Sequence, residues 1–262
     1  MSVIDGPIVH LKSAVRALLP SGLRTAYRRY RQARREHLES DISAEEVFTR
    51  IYARNGWGGP PGSFNSGSGS HEPAIVAPYV AAVMAELRRL GAGDMTVVDL
   101  GCGDFSIGRE LAPACGRYVG VDIVRPLIDH NRASFGSDRI AFRHLNIIDD
   151  ELPAGHACVV RQVFQHLSNR EILTVLPKLA RYRWCFVTEH HPSPERLRCL
   201  NLDKAHGADI RLYQGSGVFL ESSPFNVPQE RYRLILEVPG RMPEGVDPGV
   251  IRTFLLEHPA TA

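Results

Sequence analysis

At 262 residues, with 44% hydrophobic and 23% charged content, the chain is long enough to bury a full core and too evenly mixed to be disordered or fibrous. Its net charge of +2 is too small to mark a nucleic-acid binder, and no apolar run approaches the ~18 residues of a membrane span. Five cysteines, odd in number and widely spread with no C-x-x-C pair, argue against a disulfide scaffold and suit reduced thiols in a cytoplasm. Asp5 interrupts any basic-then-apolar signal peptide.

Residues 10–19 (HLKSAVRALL) form a short amphipathic segment stopped by Pro20. A very basic helix is expected over residues 21–37, with Arg24, Arg28, Arg29, Arg31, Arg34 and Arg35. Its charges suit a solvated face, or peripheral contact with an anionic inner membrane surface. Aromatic stacking surface is scarce there, so no stable nucleic-acid partner is expected. Ser43 and Glu46 make a capping box for a helix to about residue 55, with Gly56 as its stop. Residues 57–70 (WGGPPGSFNSGSGS) have no periodicity. They read either as a linker or as a folded loop offering backbone and hydroxyl donors to an anionic group. Trp57 and Phe64 favour the folded loop. Residues 75–90 are amphipathic and read as a long helix, broken early by Pro78 and ended by Gly91.

The stretch MTVVDLGCGDFSIGREL, residues 95–111, then organises the chain. Thr96, Val97 and Val98 begin a buried strand that ends at Asp99. A glycine turn follows (Gly101, Cys102, Gly103), then a helix start. Bare backbone lets a ligand approach, and a helix N-terminus offers unpaired N–H donors. A dinucleotide fingerprint, G-x-G-x-x-G, fits Gly101 and Gly103 but meets Ser106 at its third place. With Asp99 two residues ahead of the first glycine, the stretch resembles the D/E-x-G-x-G-x-G motif of class I S-adenosylmethionine-dependent methyltransferases, Phe105 replacing the last glycine. A second strand over residues 117–121 closes on Asp122, about 20 residues beyond the loop, where a carboxylate can accept both ribose hydroxyls of a nucleoside cofactor.

A helix over residues 126–135 and a third strand over residues 140–145 come next. The turn at residues 146–153 (NIIDDELP) resembles the family's adenine contact, with Asn146 where an aspartate is usual. The resemblance implies S-adenosylmethionine as cofactor, held by Asp99, Gly101, Cys102, Gly103, Asp122, Ile123, Asn146, Ile147 and Gln162. A fourth strand over residues 157–162 leads to His166 and a second capping box, Ser168 to Glu171, opening a helix to Leu179. In the family the end of this strand faces the reactive methyl group. His166 is therefore a candidate base; a histidine satisfied by backbone at a helix start is the plain alternative. A fifth strand over residues 183–188 presents Glu189, His190 and His191 at its carboxyl end, where open α/β sheets bind ligands. These three are reserve catalytic candidates.

Residues 192–227 read as a polar insert, in which Asp203, Lys204, His206 and Arg211 would recognise an acceptor. Glu189, His190, His191, Asp203 and His206 carry enough donors for a divalent ion, but their spacing matches no ligand motif, so no metal is assigned. Two strands, residues 231–238 and 250–257, close the sequence. The whole predicts an α/β fold: a doubly wound, mostly parallel seven-stranded sheet with an antiparallel terminal hairpin and an N-terminal helical extension. The expected organisation is a basic extension over 1–55, a Gly/Ser-rich lid or linker over 56–72, and a methyltransferase domain over 73–262 with its insert at about 192–228. The expected activity is O-methylation of a sugar, glycan or glycolipid precursor. The alternatives are another small molecule methylated at O or N, a non-catalytic nucleoside binder, and a nicotinamide dehydrogenase.

Overall fold

A computed structural model describes residues 42–242 and 246–259. The basic segments expected over residues 10–37 lie outside them. The first described helix, α1 (Ala44–Ala53), starts where Ser43 accepts from the Glu46 backbone N–H at 3.3 Å. It ends two residues earlier than expected. After the Gly/Ser-rich stretch come a single helical turn, α2 (Ser68–His71), and the long α3 (Pro73–Arg89).

Pro78 does not break α3. An interior proline costs about 3 kcal/mol, whereas each fully buried large apolar side chain returns about 1.5–3 kcal/mol. Ile75, Tyr79, Val83 and Leu87 are all buried along one stripe of this helix, and together they outweigh the defect.

The strands are β1 (Thr96–Leu100), β2 (Arg117–Asp122), β3 (Ile140–His144), β4 (Ala157–Arg161), β5 (Trp184–His191), β6 (Tyr232–Pro239) and β7 (Val250–Glu257). Between them run α4 (Ser106–Leu111), α5 (Arg125–Phe135) and α6 (Asn169–Leu179). The sheet order is β3-β2-β1-β4-β5-β7-β6, parallel from β3 to β5 and antiparallel across β5, β7 and β6. This is the seven-stranded, doubly wound sheet with a terminal hairpin that the sequence predicts. β5 runs three residues beyond expectation because β7 pairs with it as far as His191 opposite Val250.

Each face of the sheet is covered. On one side Val97, Val159 and Phe186 pack with Tyr79, Val83 and Leu87 of α3. On the other, Leu100, Val160 and Val187 pack with Phe48 and Tyr52 of α1 and Ile172, Val175 and Leu179 of α6. α6 opens with a complete capping box: Glu171 N–H donates to Ser168 Oγ at 3.2 Å and Ser168 N–H to Glu171 Oε2 at 2.7 Å. Strand order reverses between β1 and β4, and a crevice at such a switch point is where this sheet type receives ligands. Among the described residues no helix is long and apolar enough to cross a membrane.

Candidate active site

A cavity of about 810 Å³ opens over the carboxyl ends of β1, β2, β4 and β5. Its floor is the turn after β1. Gly101 and Gly103 have φ of +78° and +55°, a region other residues enter at a cost. Space also requires glycine: a Cβ on Gly101 would stand 2.6 Å from Val163 Cγ2, and one on Gly103 2.3 Å from Ser66 Oγ. The backbone N–H groups of Gly101 and Cys102 both donate to Val121 O at 2.9 Å, fastening the turn to β2. Phe105, where the resembling motif has its last glycine, takes a left-handed backbone conformation of the kind glycine favours, with φ +64°. Its ring is buried against Tyr118, Phe135 and Phe142.

Two carboxyls serve this floor. Asp122 accepts from Gly103 N–H at 3.1 Å and Val124 N–H at 3.0 Å. Each oxygen has accepting capacity left for a hydroxyl. Burial pushes its carboxyl up to about 6, against the pull of those N–H donors. Asp99, on β1, accepts from the Tyr118 hydroxyl at 2.9 Å, and burial pushes it up to about 7. Cys102 is buried in the cavity wall, and burial holds its thiol well above the ordinary range. It has no thiolate character.

Residues 56–71 fold against this floor. Ser66 and Ser106 tie the segment to the Asp104 loop, the Ser106 hydroxyl donating to Ser70 O at 3.3 Å, while Tyr52 OH and Ser66 Oγ stand 3.0 Å apart. Trp57 meets Tyr52 edge-on, centroids 4.9 Å apart, and lies 5.5 Å from the His166 ring.

Beyond Asp122, the cavity wall continues through Ile123, Asn146 and Ile147. Asn146 Oδ1 accepts from Ile148 N–H at 3.0 Å, and its Nδ2 donates to Asp149 at 2.6 Å. The amide is thereby fixed in place, with one lone pair of its carbonyl oxygen still open to a donor.

At the end of β4, Gln162 (φ +54°) and His166 line the cavity, and so does His190 at the end of β5. The other two strand-end candidates do not. Glu189 turns into the fold, accepting from Phe164 N–H at 2.9 Å and Gln165 N–H at 3.0 Å. Burial pushes it up to about 8, and it fixes the turn that carries His166. His191 lies on the opposite face, between Phe219 and Phe254, its Nε2 2.9 Å from Val218 O. Side chains alternate along a strand, so Glu189, His190 and His191 could not all face one cavity.

The insert differs more. Asp203 accepts from Asn169 N–H at 2.8 Å, at the start of α6. Lys204 Nζ donates to Ala205 O at 2.5 Å. His206 pairs with Glu171 at 2.7 Å and lies 3.1 Å from Ile42 O. Arg211, fully buried, donates to Leu202 O at 2.7 Å and Leu167 O at 2.8 Å. None of these four lines the cavity. They knit the insert to the 163–171 segment, and the insert's cavity wall is instead Ala208, Asp209, Ile210 and Tyr213. Among the described residues no three His, Cys, Asp or Glu side chains gather as a metal site.

The sequence reading missed Arg161 as a wall residue. A charged residue closing the apolar strand ACVV was the available signal for Arg161.

Residues 97–183 match the family model described as a methyltransferase domain. Magnesium protoporphyrin IX methyltransferase (ChlM) from Synechocystis PCC 6803 with bound S-adenosylhomocysteine is similar in structure. Its TM-score is 0.51 at 16% identity, over 83% of this chain and 100% of that one. The same protein with bound S-adenosylmethionine gives a TM-score of 0.50 at 16% identity, over 83% and 98%. The N-methyltransferase NodS from Bradyrhizobium japonicum WM9 gives 0.47 at 14% identity, over 70% and 98%. No curated protein is matched in sequence.

Proposed function

We propose that this chain is a class I S-adenosylmethionine-dependent methyltransferase and that it methylates a hydroxyl group of a small acceptor with a flat or apolar body, using His190 as base. The wall residues fit the cofactor. The turn at Gly101 and Gly103 leaves room for close approach, and Asp122 keeps accepting capacity for a ribose diol. When bound, the cofactor supplies an electrophilic methyl group on a sulfonium. The chain's own task is to hold an acceptor oxygen in line with that group, exclude water and take up a proton.

The observation that carries the choice of base is the contrast between the two cavity histidines. His166 sits 3.0 Å from Gly207 O through Nδ1, so Nε2 holds its lone pair, which the Gln165 side-chain amide meets at 3.3 Å. Burial first, then the Lys204 and Arg211 cations, drive its pKa down to about 3. Protonating such a ring at neutral pH costs on the order of 5 kcal/mol, too much for an efficient base. His190 is tied through Nε2 to Pro248 O at 2.7 Å, leaving Nδ1 to accept. Burial lowers its pKa as well, but the Pro248 carbonyl first and then the Asp247 carboxylate oppose the shift and stabilise an imidazolium. His166 instead forms acceptor wall with Trp57.

The acceptor reading follows from the same wall. A sugar was expected from Asp203, Lys204, His206 and Arg211, which are turned into the fold, while Trp57, Ile210 and Tyr213 line the cavity. These surfaces favour a flat or apolar body over a polyol. The test is to incubate the protein with methyl-labelled cofactor and panels of phenols, other hydroxylated small molecules, amines and sugars, identifying products by mass. Label on a hydroxyl oxygen, with kcat reduced about 10²-fold or more in His190→Ala, supports the reading. Label on nitrogen, sugar, protein or RNA, or an undiminished His190→Ala, overturns it.

A further inference from the structure

Arg161 is nine-tenths buried, with 9% of its surface exposed, at the carboxyl end of β4. Its guanidinium lies 4.5 Å from the centroid of the Tyr79 ring. Nη2 donates to Gly69 O at 2.6 Å and Nη1 to Ser70 Oγ at 3.4 Å. Nε–H is buried with no acceptor. Among the described residues no carboxylate lies within ion-pair distance of this guanidinium. A buried cation without an anion is costly, and the usual resolution is a bound anion. Arg161 lines the cavity, so the anion can reach it.

The neighbourhood specifies the anion's chemistry. β1 pairs with β4 through Leu100 and Val160, which sets Arg161 beside the glycine turn. Asp99 lines the same stretch of wall and is close enough for its charge to favour that of Arg161. One cation and one carboxyl side by side match an α-amino acid zwitterion. The distance to Asp122 is also right: β2, β1 and β4 are consecutive in the sheet, two strand spacings or about 10 Å. A ribose held over β2 would extend a short amino-acid arm across β1 to β4.

We infer that Arg161 receives the carboxylate of the cofactor's amino-acid arm, with Asp99 beside it for the ammonium group. This rests on the reading of the cavity as the seat of S-adenosylmethionine. It makes Arg161 the residue that distinguishes the whole cofactor from a nucleoside thioether without that arm. The gripping segment is the one that closes the cavity, since Gly69 and Ser70 hold the same guanidinium.

The test is calorimetry of the wild type, Arg161→Gln and Arg161→Lys with S-adenosylhomocysteine and with 5′-methylthioadenosine, which has the nucleoside and sulfur but no amino acid. Arg161→Gln is expected to weaken S-adenosylhomocysteine by about 10- to 150-fold, the range of charge-assisted hydrogen bonds, and 5′-methylthioadenosine by less than about three-fold. Arg161→Lys should fall between. Equal loss of both compounds would make Arg161 a structural residue and overturn the inference. Unchanged S-adenosylhomocysteine binding would also overturn it and assign the guanidinium to an anionic acceptor. Should neither compound bind the wild type, the cofactor reading itself fails. If Arg161→Gln does not fold, decarboxylated S-adenosylhomocysteine on the wild type decides: at least about ten-fold weaker binding supports the inference, equal binding overturns it.

Discussion

Ser66 and Asp104 hold each other reciprocally: Ser66 N–H donates to Asp104 Oδ2 at 2.7 Å, and Asp104 N–H donates to Ser66 Oγ at 2.8 Å. The same Asp104 oxygen lies 2.7 Å from His71 Nε2, so one carboxylate fastens both ends of the segment that covers the glycine turn. Against its burial, hydrogen bonds from Ser106, then His71 and the Ser66 N–H, keep that carboxyl below the ordinary carboxylate range. Asp104→Ala should release residues 66–71 without unfolding the sheet. Hydrogen exchange of that segment should accelerate by about ten-fold or more, with the strands unchanged, since a charged hydrogen bond contributes about 1.5–3 kcal/mol. Unchanged exchange would contradict the latch.

Asp122 should be indispensable for nucleoside binding. Asp122→Ala removes the carboxylate over β2 and leaves the Gly103 and Val124 N–H donors without their partner. Titration with S-adenosylhomocysteine should show affinity lost by about 10²-fold, the sum of two charged hydrogen bonds at the low end of their range. An unaltered affinity would remove the cofactor from this cavity.

The buried carboxyl of Asp99 predicts a pH dependence whose sign can be worked out. Its folded pKa, about 7, stands above its ordinary 3.8, so between those values the folded state binds the extra proton. Stability then falls as pH rises from about 4 to 7. In Asp99→Asn this loss disappears. Thermal unfolding without cofactor should find the variant close to wild type at about pH 4 and more stable than wild type above about pH 7. A constant difference across that range would refute the shift.

Phe105 makes two opposing contributions, strained backbone and buried ring. Phe105→Gly relieves about 1–2 kcal/mol of left-handed strain but forfeits about 3–5 kcal/mol of ring burial. Phe105→Ala forfeits the ring and keeps the strain. Urea unfolding should therefore rank wild type above Phe105→Gly, and Phe105→Gly above Phe105→Ala. The reverse order of the two variants would show that the φ of +64° carries no cost.

Arg211 is a structural cation. Its guanidinium donates to backbone carbonyls of Phe164, Gln165, Leu167 and Leu202 and to Asn169 Oδ1. Arg211→Met leaves those acceptors unpaired and should cost about 3–5 kcal/mol in chemical denaturation, with Arg211→Lys failing to restore it because an ammonium has three donors. A loss confined to acceptor KM would return Arg211 to substrate recognition.

Much of the fold was legible along the chain because the governing interactions are local. Alternating β-branched runs, glycine stops and the Ser168–Glu171 capping box marked the strands and helices within a few residues. Asp99, the glycine turn and Asp122 were legible for the same reason: each sits at the carboxyl end of a strand, and strand ends are set by local pattern. Pro78 was misread because the apolar stripe that carries the helix through it is buried only by the assembled sheet.

The sequence by itself determined the parallel sheet, its antiparallel close and the glycine turn after the first strand. Tertiary structure alone decided which polar residues face the cavity. Asp203, Lys204, His206 and Arg211 look like a recognition set in one dimension, yet each finds its partner on α6 or the 163–171 segment. Arg161 looks like an ordinary strand end, yet Gly69 and Ser70, some ninety residues away, turn it into the buried cation of the site. Burial and pairing arise from contacts between distant segments, and no local pattern encodes them.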